Sequence, residues 1–384
     1  MAVKLGIDNL EKHSQHLEGK RIGLITNNTG INGSFESTVD LLHKSFNLVK
    51  LFAPEHGVRG DLQAGVTLQS YTDGATGLPV VSLYGANKKP TAEMLCDIDV
   101  LAFDIQDVGS RFYTYLYSMA YAMQACAENG KICVVFDRPN PIDATTVEGN
   151  MLAPECSSFI GLYPIPQRYG LTIGECARLF NGEYGIKCNL VVVPMSNYQR
   201  DMYFEETSAN WVLPSPNIPT VDSCFTFNCA CIFEGTNISE GRGTTKPFSF
   251  VGAPYIDANK LADELNGLNL GGVFFRPQYF PPLPYHPEYS KYPGELCCGV
   301  EIHVLDRKTF RPVKTGLTML YTIKGLFEKD FEWMEPYNDK LRHMIDYNTG
   351  NVHVREGLAL DEVLKIYEYD SKKFEALKSK YHLY

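Results

Sequence analysis

The stretch "NLVKLFAPEHGVRG", residues 47–60, starts as an apolar run and ends, beyond a proline, in a glutamate, a histidine and an arginine set between glycines. A short run rich in Val, Leu and Phe reads as a strand buried on both faces. A polar cluster at its carboxyl end sits where open α/β sheets bind ligands. The same pattern recurs in "RIGLITN" (21–27), "VVSLYG" (80–85), "IDVLAFDIQ" (98–106), "KICVVFD" (131–137) and "CNLVVVPM" (188–195). Helix-like segments at 34–46, 113–130 and 172–185 lie between them. Gly130 is placed as the residue that ends the second helix, and Thr172 with Glu175 three residues on forms a capping box for the third. Strands alternating with helices in this way predict a Rossmann-like, doubly wound parallel sheet.

At 384 residues the chain is longer than one hydrophobic core usually serves, so two domains are expected, 1–205 and 206–384. From about residue 210 the texture becomes proline-dense and aromatic, as in "WVLPSPNIP" (211–219) and "RPQYFPPLPYHPEYSKYPG" (276–294). A smaller α/β or α+β domain is expected here. It has long loops, a helix at 258–268, a strand at 297–306 and further helices toward the end.

A formal charge of −10 argues against nucleic acid or an anionic membrane surface as the main partner and leaves small molecules. No apolar stretch reaches the roughly 18 residues of a membrane span. The first twenty residues show no signal-peptide core, which favours the cytoplasm over a periplasmic or secreted location. The eleven cysteines, an odd number with a "CAC" at 229–231, read as free thiols.

Four strand ends carry polar groups toward one edge: Asn27 to Thr29, Glu55 with His56, Asp104 with Asp107 and Arg111, and "DRPNP" with Asp137, Arg138 and Asn140. Asp104, inside an apolar run, is either a satisfied structural carboxylate or a site residue. Arg138 either caps a turn or faces the ligand. After the first strand "NNTGING" replaces a dinucleotide fingerprint, and no phosphate-binding lysine loop occurs, so no cofactor is expected. His56, Glu55, Asp104 and Asp107 are metal-ligand types, but no recognised zinc spacing accompanies them and no metal is expected. In the second half, "FEGTNISEGRGTTKPF" (233–248) gathers Glu234, Thr236, Asn237, Glu240 and Arg242 among glycines, and Trp211 and Asn217 stand in a stiff loop fit to wall a sugar. Carboxylates facing each other across a cleft suit glycosidic bond cleavage. Arginines beside them suit an anionic ligand.

"LFAPEHGVRG", "DIQDVGSRFYTY", "DRPNPI", "PSPNIP" and "EGTNISEGRGTTKPF", in this order, resemble the exo-β-N-acetylmuramidase family over residues 23–333. The resemblance implies a Rossmann-like domain and a smaller domain with the active site between them. It also implies hydrolysis of terminal, non-reducing β-1,4-linked N-acetylmuramic acid from peptidoglycan fragments in cell-wall turnover. Glu55 carries over as the catalytic glutamate by the motif PEHG; Val58 departs from the aromatic common at that place. The expected site is then Glu55, His56 and Asp104 for catalysis. Asn27, Asp107, Arg111, Tyr113, Arg138, Asn140, Asn217, Glu234, Thr236, Asn237, Glu240 and Arg242 are expected around the substrate, with one of the arginines on the lactyl carboxylate. A muropeptide-binding protein without catalysis and a metal-dependent esterase or deacetylase are the alternatives.

Overall fold

The structure is a computed structural model that describes residues 2–59, 70–85, 87–286, 290–336 and 341–384. Gly60 and part of the proline-dense segment, residues 287–289, lie outside the described residues. The first half supplies β1 (Ile22–Thr26), α1 (Thr38–Ser45), β2 (Leu48–Ala53), β3 (Tyr71–Thr72), β4 (Pro79–Ser82), α2 (Ala92–Leu95), β5 (Val100–Asp104), α3 (Tyr115–Glu128), β6 (Ile132–Phe136), α4 (Ile173–Gly182) and β7 (Asn189–Val193). These strands form one sheet in the order β3-β4-β2-β1-β5-β6-β7. Strands β1 and β5 are fully buried, as their unbroken apolar runs require. Gly130, just past the Asn129 cap of α3, has φ 62°, and α4 begins with the Thr172–Glu175 capping box.

The sheet is mixed rather than wholly parallel, because β3 pairs antiparallel with β4 at the edge. Two exposed residues are too few to leave a periodic signal, and a short edge strand limits further pairing.

The second half holds α5 (Val221–Ala230), β8 (Phe250–Ala253), α6 (Ala258–Gly267), β9 (Val273–Phe280), β10 (Cys297–Val304), α7 (Pro312–Leu326), α8 (Met344–Thr349) and α9 (Leu360–Lys378). Its sheet is antiparallel in the order β8-β10-β9. Strand β9 lies within sequence that reads as loop because it contains Pro277; it is an edge strand, where proline is tolerated. Helix α5 escapes the periodicity test because nine of its residues are buried and no polar stripe marks a face. All eleven cysteines are free thiols. Among the described residues no helix is long and apolar enough to cross a membrane.

Candidate active site

The chain leaves β2 through Pro54 into a tight turn in which the Gly57 N–H donates to the Pro54 carbonyl at 3.1 Å. His56 occupies the left-handed region at φ 70° and Gly57 follows at φ 78°. A histidine held there costs on the order of 1–3 kcal/mol, the kind of strain that persists where the surroundings fix it. Those surroundings come from the start of α3: Thr114 Oγ1 donates to Glu55 Oε2 at 2.8 Å, and Tyr115 OH bonds the Glu55 carbonyl at 3.2 Å. Tyr115 OH also donates to the Pro214 carbonyl at 2.8 Å, tying the turn to the "PSPNIP" loop. Burial, reinforced by the Glu55 carboxylate nearby, pushes the Tyr115 phenol far above its ordinary range, so it stays a donor.

These pieces enclose a cavity of about 150 Å³. Glu55, His56 and Tyr113 line it from the first half, and Asn217, Glu234 and Arg242 from the second. Phe112, Phe227 and Phe248 give it apolar walls, and Thr114, Tyr115 and Ser215 add polar ones. Arg242 lies 4.8 Å from the Phe248 ring centroid, pairs with Glu234, and reaches Glu240 at 3.1 Å. Burial opposes the Arg242 charge, but Glu234 and Glu240 outweigh it and hold the guanidinium well above its usual range. Glu240 stands behind, bonded to Lys291 at 3.0 Å.

The other expected residues do not line this cavity. Asp104 is fully buried; Arg138 grips it at 2.5 and 2.8 Å, and Thr38 bonds its second oxygen. Its partners fit the structural reading of this carboxylate. Arg111, also fully buried, donates to the carbonyls of Asn150, Ile165 and Asn348 at 2.9, 3.0 and 3.0 Å. Asn27 turns its Oδ1 to the Thr29 N–H at 2.9 Å, and Asn28 Nδ2 holds the Leu213 carbonyl at 2.8 Å. Asn140 bridges Leu171 and Ile142. Thr236 caps its own turn at Phe233, and Asn237 ties Asp330 and Tyr255. Trp211 packs edge-on against Phe204 at 5.0 Å. Asp107 accepts from Tyr169 and from the Gly109 N–H at 2.9 Å, and burial pushes its carboxyl up to about 6. Among the described residues, no group of three His, Cys, Asp or Glu side chains is arranged to hold a metal.

Thr114, Tyr115 and Ser215 fall inside the quoted motifs, but hydroxyl side chains are common in loops and nothing local marks these three. The aromatic walls left no signal, since core phenylalanines look the same.

Residues 22–222 match the family described as exo-β-N-acetylmuramidase NamZ, N-terminal, and residues 225–384 match its C-terminal counterpart. The chain belongs to the exo-β-N-acetylmuramidase family. A relative from Bacillus subtilis (strain 168), the peptidoglycan β-N-acetylmuramidase NamZ, is 49% identical over 390 residues, covering 100% of this chain and 91% of that protein. Two solved structures of DUF1343 family proteins from Bacteroides fragilis NCTC 9343 share the fold. One has TM-score 0.90 and 39% identity, the other 0.77 and 29%, and each alignment covers 100% of this chain and 99% of that chain.

Proposed function

We propose that the chain is an exo-acting glycosidase that releases terminal, non-reducing β-1,4-linked N-acetylmuramic acid from peptidoglycan fragments. The reading is carried by one cavity in a chain of this family, with Glu55 among its lining residues and Glu234 with Arg242 contributed by the second half. In it Glu55 gives its proton to the departing glycosidic oxygen. Thr114 fixes the carboxyl by its 2.8 Å bond, and the Pro54–Gly57 turn aims it. Glu234, steadied by Arg242, steers water or offsets positive charge developing on the sugar ring. Phe112, Phe227 and Phe248 exclude water and bear on the apolar faces of the pyranose. Residues 1–205 act as the unit that carries the acid, and residues 206–384 as the unit that completes the cleft. His56 is a helper held beside the acid.

Incubation with an N-acetylmuramic acid–N-acetylglucosamine disaccharide, followed by proton NMR, tests the reading. Appearance of both free sugars, with one anomer formed first, is the expected result. Calorimetric binding of the disaccharide with no release would favour the binding-protein alternative.

A further inference from the structure

Among the described residues, two side chains on the cavity wall keep a buried donor without a hydrogen-bond partner: Tyr113 through its OH and Arg242 through Nε. The two differ in charge. The terminal nitrogens of Arg242 already pair with Glu234 and Glu240, so its positive charge is matched twice before any ligand arrives. Tyr113 is neutral and only 8% exposed. Burial, with Tyr115 beside it, pushes the Tyr113 phenol well above its ordinary range, so the group stays a donor. The Ser215 hydroxyl approaches it without the geometry of a hydrogen bond.

Tyr113 is tied to the acid by chain and by packing. It precedes Thr114, whose Oγ1 holds Glu55 Oε2 at 2.8 Å. Its ring stands edge-on at 5.0 Å to that of Tyr115, which bonds the Glu55 carbonyl, and at 5.9 Å to Phe227. Phe227 in turn meets Phe248 at 4.7 Å, so the phenol lies at one end of a continuous apolar wall. A buried hydroxyl left unpaired among such rings is costly, and on a cavity wall a ligand can supply the missing acceptor. The surroundings suit a neutral acceptor that carries an apolar group of its own. On the sugar of the proposed reaction this is the 2-acetamido group, with its carbonyl for the phenol and its methyl for the phenylalanines. A lactyl carboxylate would meet the same rings with its charge unmatched.

We propose that the Tyr113 hydroxyl donates to the carbonyl of the 2-acetamido group of the terminal sugar, which makes Tyr113 the residue that selects N-acetylated sugars beside the acid. This rests on the glycosidase reading above. The test compares kcat/KM of the wild type and Tyr113→Phe on the 4-nitrophenyl β-glycosides of N-acetylmuramic acid and of its analogue with a hydroxyl in place of the acetamido group, with melting curves of both proteins taken alongside. Tyr113→Phe keeps the ring contacts and removes only an unpaired hydroxyl, so its melting temperature should equal or exceed that of the wild type. Loss of one neutral hydrogen bond predicts about a threefold to tenfold drop on the N-acetylated glycoside. On the 2-hydroxy analogue the two proteins should have equal kcat/KM. An undiminished rate of Tyr113→Phe on the N-acetylated glycoside, or a drop of the same size on both glycosides, would overturn the assignment while leaving the glycosidase reading intact. A wild type inactive on the N-acetylmuramic acid glycoside would overturn that reading and the inference with it.

Discussion

Two polar clusters hang from the same sheet one strand apart, at the end of β2 and at the end of β5, and they differ in how fully their partners are supplied from within the chain. At β5 Asp104 has Arg138 and Thr38 on its oxygens and no exposure. At β2 the Glu55 carboxylate accepts from Thr114 and faces a cavity. Residue type does not separate these two carboxylates; their partners and their access to the cavity do.

The largest effect should follow from breaking the closed cluster. Arg138→Met leaves Asp104 buried without its cation and is expected to cost about 3–5 kcal/mol of stability, read by chemical denaturation. Pairing it with Asp104→Leu should return part of that loss. An Arg138→Met protein that melts like the wild type but binds substrate poorly would reverse the comparison and put the arginine back in the site.

Sharpening the open cluster takes a smaller change. Thr114→Val removes the donor to Glu55 and should lower kcat/KM by about tenfold to a hundredfold, with a shifted pH–rate profile and stability changed by about 1 kcal/mol. Equal pH–rate profiles in the two proteins would mean that Thr114 does not hold the acid.

The smallest effect concerns Asp137, next along the sheet at the end of β6. It accepts from Tyr384 OH at 2.7 Å, from Thr172 Oγ1 at 2.8 Å and from the Gly174 N–H at 2.7 Å. Burial foremost, with Glu175 nearby, raises its carboxyl to about 7, well above the ordinary carboxylate value of 3.8. The folded chain therefore holds a proton there that the unfolded chain releases. This group's contribution is full below the unfolded value and is lost as pH rises through about 7. Melting Asp137→Asn beside the wild type from pH 4 to pH 8 should show the wild type declining more steeply across that window. Parallel curves would contradict the assignment.

Much of the fold was legible because buried parallel strands are short apolar runs with abrupt ends, and β1, β2, β5, β6 and β7 all are. Strand β9 was hidden by Pro277 and helix α5 by its all-round burial, both cases where tertiary surroundings override a local rule. The site was legible in part. Glu55, His56, Tyr113, Asn217, Glu234 and Arg242 do meet at one cavity, each standing in or beside a polar motif that interrupts apolar runs. Asp104, Arg111 and Arg138 looked equivalent in sequence, and only the count of their partners sets them apart.

The central claim is that the open carboxyl at the end of β2 does the chemistry. Turnover of a chromogenic N-acetylmuramic acid β-glycoside by Glu55→Gln, with its melting curve taken alongside, tests this most directly. The account predicts a fall of about a hundredfold to ten-thousandfold with the melting curve little changed; near-normal turnover by the folded variant would contradict it.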